Sequence, residues 1–496
     1  MKNATFLLLA LLLQNWGYAQ PISGRVYWDQ NQNGQFDRGE KSLRDVGISN
    51  GDTIIWTNRH GQYRFAATGD APLFVVAPDG YRCSRSTLQN SPERVTHFQT
   101  DVLNFALYPV ARKSSYRVAV VGDIQVDNEE QLGFAQRSIL SELSSRTDLD
   151  FLIHMGDLVN DKPELLDRAT EAISLLPQPA WCVIGNHDLN MDRRPRSANR
   201  FRATVGRDIT AFFRANTCFI LLNNVENSTD SLSTQQLNFL KQLVAHCPHE
   251  MLLVVCQHVP MAEMKNRDAI LDLLSPHKTL ILSAHAHKVF RQTWRDAVSE
   301  VSVGAACGTW WTGERDATGI PFAIQQCGTP RNYFVFDFTD QGYSFRVKGV
   351  GLDADQQADV WVKGENSSDA EVDQLRDEPE GRIAVNVYGG GETTRVEYSS
   401  DGTSWHPLDQ TKMIAPTVAR TIYMNREGGY PTKFSRRQPL RKSASPHIWA
   451  TTLPDTLLRH AVKLHFRIRD SHGLYPSNFE RIVGTTAPPQ ATNIAE

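Results

Sequence analysis

Three patterns of apolar and polar positions follow one another along the chain. Over residues 20–111, short alternating runs (Ser23–Trp28, Thr53–Trp56, Gln62–Ala66 and Leu73–Ala77) are separated by turn signals rich in Asn, Gly, Pro and Asp. Two-residue alternation predicts strands, so this segment is expected to be an all-β domain. From 112 to 351 the pattern becomes α/β: fully apolar runs alternate with helical stretches at Asn128–Leu143, Pro163–Leu176 and Thr234–His246. Ser233 and Gln236 open the last of these with the spacing of a capping box. Residues 352–381 are polar and acidic (Asp369, Glu371, Asp373, Asp377, Glu378, Glu380) and predict a linker or long loop. Alternation returns over 382–484, as in Ile383–Tyr388, Thr394–Ser399 and Val462–Ile468, predicting a β-sandwich-like domain, with 485–496 as a tail.

The first nineteen residues fit neither fold pattern. Lys2 precedes a short apolar run, Thr5–Leu13, and Gly17 and Ala19 place small residues before Gln20. This is the grammar of a cleaved signal peptide, and the run is too short to span a bilayer. The protein is therefore expected to be exported, soluble, and periplasmic or secreted. With 52 Lys and Arg against 55 Asp and Glu, the net charge of −3 argues against dedicated nucleic-acid binding. An odd total of seven Cys leaves at least one unpaired within the chain, while a Cys307–Cys327 disulfide is one option outside the cytoplasm.

The candidate chemistry follows the apolar runs of the middle segment. Val118–Val121 leads to Asp123 and Gln125, and Phe151–Ile153 leads to Gly156-Asp157 and on to Asp161. Trp181–Ile184 leads to Gly185-Asn186-His187-Asp188, Leu252–Val255 to His258, and Leu280–Leu282 to His285-Ala286-His287. The carboxyl ends of strands in open α/β sheets open onto the ligand crevice, so five strand ends bring Asp123, Gln125, Asp157, Asn186, His258, His285 and His287 to one rim. Mixed oxygen and nitrogen donors without thiolates suit Mn, Fe, Zn or Co. Seven donors exceed one tetrahedral site and fit two ions sharing a carboxylate, an arrangement that activates water against a phosphorus ester.

The ordered set Gly156-Asp157, Gly185-Asn186-His187-Asp188, His258 and His285-Ala286-His287 resembles the calcineurin-like metallophosphoesterase superfamily. The wider chain, with Gly308-Thr309-Trp310-Trp311-Thr312-Gly313 and Ser445-Pro446-His447-Ile448-Trp449, is similar to an exported bacterial subgroup with β domains at both ends. The resemblance implies a two-sheet α/β sandwich flanked by helices. It implies one metal on Asp123, Gln125, Asp157 and His287 and a second on Asp157, Asn186, His258 and His285. It also implies His187 as the acid that protonates the leaving oxygen, oriented by Asp161 or Asp188. Two positions depart from the pattern: Gln125 stands where His is usual, and Ala284 where Gly is usual.

Asp29, Asn31, Asn33, Gln35, Asp37 and Glu40, with Gly34 at the turn, have the spacing of an EF-hand-type calcium loop. Their β-like flanks make a structural calcium in the N-terminal domain the expectation. Arg193, Arg194, Arg196, Arg200 and Arg202 either grip a second anionic group or form a solvated basic loop. Trp310 and Trp311 either stack a base or sugar or pack in the core. His154, His246, His249 and His277 read as helix-end, loop or core residues. Two functions follow: an exported dinuclear-metal phosphoesterase of undecided monoester or diester preference, or a non-catalytic periplasmic or surface binding protein on the same scaffold. In either case the β domains are candidates for contacts with envelope glycan or protein.

Overall fold

Adjacent residues of strand Tyr116–Val121 face different cores: Val118 and Val120 pack into one, Ala119 and Val121 into the other. Strand Leu252–Cys256 does the same, with Val254 and Cys256 turned inward and Leu253 and Val255 outward. Side chains alternate across a strand, so a strand that is apolar throughout must be covered on both faces. This is why the apolar runs of the middle segment carry no alternation.

The computed structural model describes residues 21–66, 72–90, 102–190, 196–226, 230–427, 429, 437–458 and 460–484. The signal peptide expected over 1–19, the tail 485–496 and Arg193 and Arg194 lie outside them. Two sheets stack face to face in the middle of the chain. One has the order Ala180–Cys182, Phe151–His154, Tyr116–Val121, Asn332–Thr339, Gly342–Gly349, with its first three strands parallel and the last two antiparallel. The other runs Thr210–Arg214, Thr217–Leu221, Leu252–Cys256, Thr279–Ser283, Val298–Val303, Val289–Arg295, with its four inner strands parallel. Val118, Ile153, Val254, Leu280 and Phe336 fill the space between them. Helices cover the outer faces, so the fold is the expected two-sheet α/β sandwich.

The helices follow the sequence closely. Asn128 accepts from the Gln131 amide at 3.0 Å to open a helical stretch that continues to Ser144, with a π-helical turn at Gln136–Leu140. Ser233 accepts from the Gln236 amide at 3.2 Å to open Thr234–His246. Only half of the capping box forms, because the Gln236 side chain turns inward and bonds both backbone groups of Asn223.

A small β domain precedes the sandwich, with a four-stranded and a three-stranded sheet enclosing Val26, Ile48, Tyr63, Phe65 and Leu107. It docks on helix Thr234–His246, where Trp56 stacks on His246 with ring centroids 3.4 Å apart. Residues 352–381 are not a free linker. Ala358–Val362 is the edge strand of a seven-stranded C-terminal sheet, and Trp361, Val372 and Leu375 are buried beside it. The acidic composition hid these few apolar anchors. Helix Pro416–Glu427 packs on this sheet through Val418 and Ala419. Arg291 of the sandwich and buried Asp470 of the C-terminal sheet form a two-pronged ion pair at 2.8 and 3.1 Å.

All seven Cys are free thiols, so the Cys307–Cys327 disulfide does not form. Cys307 lies against Gln125 and His287, whereas Cys327 contacts Thr329. Among the described residues no helix is long and apolar enough to cross a membrane.

Candidate active site

The five loops that leave the strands converge, and their backbones are strained where they do. Gln125, Asp157, Asp161, His285 and His287 all hold left-handed φ angles between 42° and 63°. Such conformations cost non-glycine residues about 1–3 kcal/mol each and persist only where surrounding contacts enforce them. Gly156 shows one reason for the tight fit. A Cβ there would lie 2.7 Å from His258 Nδ1 and 2.8 Å from the Gly185 amide nitrogen, and its φ of 97° already favours glycine.

Asp123, Gln125, Asp157, His258 and His287 are buried, whereas Asn186, His187 and His285 are half-buried. Ligand-capable atoms of Asp157, His258 and His285 lie within 4.8 Å of one another. His258 Nδ1 donates to the Met155 carbonyl at 2.8 Å, which turns Nε2 toward Asp157 Oδ2 (3.1 Å), Asn186 Oδ1 (3.2 Å) and Asp123 Oδ1 (3.8 Å). Asp123 Oδ2 accepts from the His285 amide, but its buried Oδ1 has no hydrogen-bond donor. His287 Nδ1 donates to the Gly308 carbonyl at 2.6 Å, fixing the tautomer and leaving Nε2 as the available donor atom. Gln125 Nε2 donates to Asn160 Oδ1 at 3.3 Å, while its Oε1 lies 3.8 Å from Cys307 Sγ.

Burial and the mutual influence of its charged groups set the ionisation of this cluster. Burial, reinforced by the Asp157 carboxylate, pushes Asp123 well above the usual carboxylate range. Burial also opposes ionisation of Asp157, but the His258 imidazole outweighs it and holds that carboxyl below the usual range. For His258, burial favours the neutral ring, yet Asp157 and Asp123 lift it to about 10. His285 and His287 are drawn down to about 4, chiefly by burial, and so are neutral. Neutral imidazoles beside buried carboxylates, one with an orphaned oxygen, fit a divalent cation centre.

The two carboxylates beside the predicted acid separate clearly. Asp161 Oδ1 is 2.8 Å from His187 Nδ1. Asp188 is fully buried and accepts from the Gly185 and Val159 amides at 2.9 and 3.1 Å, so it ties the turn together instead of orienting His187. Burial, then the Asp157 charge, raises Asp188 to about 7. The His187 amide donates to Asp157 Oδ1 at 2.9 Å, coupling the backbone of this residue to the cluster.

The other candidates fall into place around this rim. Trp311 is core: its Nε1 donates to the Ile124 carbonyl at 2.9 Å. Trp310 is half-buried and stacks on His287. Arg202 pairs with Asp208 and Glu226, and Arg200 with Asp167, so these two arginines of the basic loop are engaged in ion pairs. His249 stacks on His277, and His154 is buried in the strand before Asp157. Sequence reasoning considered Cys307 only as a disulfide partner, and passed over Glu263, whose Oε2 lies 3.9 Å from His285 Nε2. Neither carries a local motif. In the N-terminal loop, Asp29 accepts from the Asn33 and Gly34 amides, Glu40 from those of Gln30 and Asp37, and Asp37 from the side chains of Asn31 and Asn33. Gln35 donates its amide to Asn33 Oδ1.

The model of the calcineurin-like phosphoesterase domain matches residues 116–289, and that of the C-terminal domain of calcineurin-like phosphoesterases matches 300–475. The second match begins inside the sandwich, since Asn332–Thr339 and Gly342–Gly349 belong to its first sheet. No curated protein matches the chain. Among solved structures, it is similar to a dimetal phosphatase from Danio rerio at 13% identity, over 47% of this chain and 96% of that one, with a TM-score of 0.36. It is also similar to a purple acid phosphatase from yellow lupin (Lupinus luteus) seeds at 12% identity, over 67% and 69% of the two chains, with a TM-score of 0.36. A 5'-nucleotidase from Candida albicans matches at 11% identity, over 48% and 51%, with a TM-score of 0.29.

Proposed function

The chain belongs to the calcineurin-like phosphoesterase family, and we propose that it is an exported phosphate-ester hydrolase with a dinuclear metal centre and His187 as its general acid. The observation that carries this reading is the buried, donor-less Asp123 Oδ1 facing the Asp157–His258–His285 cluster. Asp123, Gln125, Asp157 and His287 would hold one ion, and Asp157, Asn186, His258 and His285 the other. When bound, Mn, Fe or Zn ions supply Lewis acidity toward the phosphoryl oxygens and activate water as the nucleophile.

The chain's own residues do the rest. Asp157 spans both halves of the donor set, and its Oδ1 is held by the His187 amide. His258 and His287 are aimed by backbone carbonyls through Nδ1. His187 faces the half-open rim, with Asp161 on Nδ1 leaving Nε2 to donate a proton to the departing oxygen. Gln125 offers a neutral carbonyl oxygen in place of an imidazole. A structural calcium on Asp29, Asn31, Asn33, Gln35, Asp37 and Glu40 would brace the N-terminal domain.

The test is hydrolysis of p-nitrophenyl phosphate beside bis-p-nitrophenyl phosphate, with added Mn, after chelation, and for Asp157→Asn. A chelator-sensitive rate that the variant lacks supports the reading, and the preferred ester separates monoesterase from diesterase. Absence of both metal and turnover sinks it in favour of the binding-protein alternative.

A further inference from the structure

The loop 304–331 runs from strand Val298–Val303 of one sheet to Asn332–Thr339 of the other, so it crosses the rim of the site. It is held there from three directions. The Cys307 amide donates to the Asp123 carbonyl at 2.9 Å, and the Gln326 amide to the His287 carbonyl at 3.2 Å. Trp311 is buried beside Phe134, under the Arg331 guanidinium, with its indole N–H on the Ile124 carbonyl between Asp123 and Gln125. From the C-terminal domain, Gln438 Nε2 donates to the Thr312 carbonyl at 3.3 Å, and Gln326 Nε2 donates to that of Pro439 at 3.1 Å.

Trp310 is the exception in this anchored loop. Its φ of 51° is left-handed, as is the 53° of Trp311, so the backbone does not separate the two rings; exposure and contacts do. Core packing does not account for the ring, because Trp311 fills the core and Trp310 remains partly exposed. Its indole lies over His287, with centroids 4.3 Å apart and planes 28° from parallel. The ring thus lies at the rim, partly exposed and stacked on a residue of the candidate centre.

We propose that Trp310 is a stacking platform that selects phosphate esters whose leaving group carries a flat ring, a nucleobase or an aryl group, over alkyl esters. The inference rests on the reading of the site as a phosphoesterase. A ring stacked on an aromatic side chain gains affinity without hydrogen-bond readout, so the platform sorts flat from non-flat groups and tolerates ring identity.

The test uses the full-length, metal-loaded protein. Calorimetry compares the phosphonate analogues of AMP and of ribose 5-phosphate, whose P–C bond does not hydrolyse. Kinetics compares benzyl phosphate with glycerol 2-phosphate, both of which leave through an alkoxide oxygen. The wild type is expected to favour the ring-bearing member of each pair by about tenfold. Trp310→Ala should bring both ratios close to one, and Trp310→Phe should retain most of the preference. A wild-type ratio near one overturns the proposal whatever the variants do. So does a Trp310→Ala protein that weakens both members equally, which would make the indole only a support for His287. A Trp310-dependent binding preference with no turnover of any ester would sustain the platform and sink the phosphoesterase reading. Turnover of both esters without preference would do the reverse.

Discussion

Replacing His187 with Ala should produce a loss that depends on the leaving group. The His187 side chain is 27% exposed and its polar contact is Asp161 at 2.8 Å, itself 43% exposed, so truncation leaves no buried orphan and should not unfold the protein. A positioned general acid contributes about 10²–10⁴ in rate when the departing oxygen needs a proton. Glycerol leaves as a strongly basic alkoxide, whereas p-nitrophenolate is already a stable anion near neutral pH. His187→Ala should therefore lower kcat on glycerol 2-phosphate by about 10³, yet by less than about tenfold on p-nitrophenyl phosphate. Asp161→Asn keeps the ring but replaces the carboxylate that holds its Nδ1 with a neutral amide. The pair is partly solvated, so it is worth about 1 kcal/mol, or about fivefold on the alkyl ester. Steady-state rates for both esters, on wild type and both variants at matched metal occupancy, provide the comparison. Equal losses on the two esters for His187→Ala would refute the assignment of this ring as the proton donor.

Three further outcomes follow from other parts of the molecule. Metal at about a hundred times its Kd should stabilise the sandwich by about 2.7 kcal/mol, so chelation should lower Tm by about 5–10 °C in scanning calorimetry; no shift, or an equal shift in Asp157→Asn, contradicts the metal centre. Asp470 is lowered to about 2 because Arg291 and Thr394 outweigh the opposing effect of burial. Its folded value lies below its unfolded one, so about 2 kcal/mol is present above about pH 4 and is lost as pH falls through about 2. The Tm gap between wild type and Asp470→Asn should close over that acid window, and a gap independent of pH counts against the linkage. In the N-terminal domain, titrated calcium should give a binding heat that Asp29→Asn, at a buried position, abolishes; equal heats in both proteins would rule out the loop as the site.

The strand ends were legible because parallel strands covered on both faces read as apolar runs, and chemistry placed straight after each run stands out. Residue choices that depend on contacts remote in sequence were not legible. Asp161 and Asp188 both lie close to His187 along the chain, but only the left-handed φ of 54° at Asp161 and the amide-lined pocket around Asp188 divide their roles. Trp310 and Trp311 are adjacent and identical, and their division into rim and core is set by the Ile124 carbonyl on one side and His287 on the other. Residues 352–381 misled for a different reason. Strand Ala358–Val362 exists because Arg382–Val387 pairs with it, and pairing partners are invisible to composition.

The same remote contacts account for the exactness that the proposed two-metal site needs. Donor atoms on five loops must hold position within a fraction of an ångström, and loops alone do not provide that. Here the Gln125 amide donates to the Asp157 carbonyl, the His285 amide to Asp123, and the His187 amide to Asp157, so each loop is hydrogen-bonded to another. The crossing loop adds Cys307 on Asp123 and Gly308 under His287, and the C-terminal domain holds that loop through Gln438. Left-handed backbone at Gln125, Asp157, His285 and His287 is the energetic cost of this cross-bracing. The C-terminal domain thus holds the loop that carries Trp310 and backs His287, and among its described residues none joins the Asp157–His258–His285 cluster.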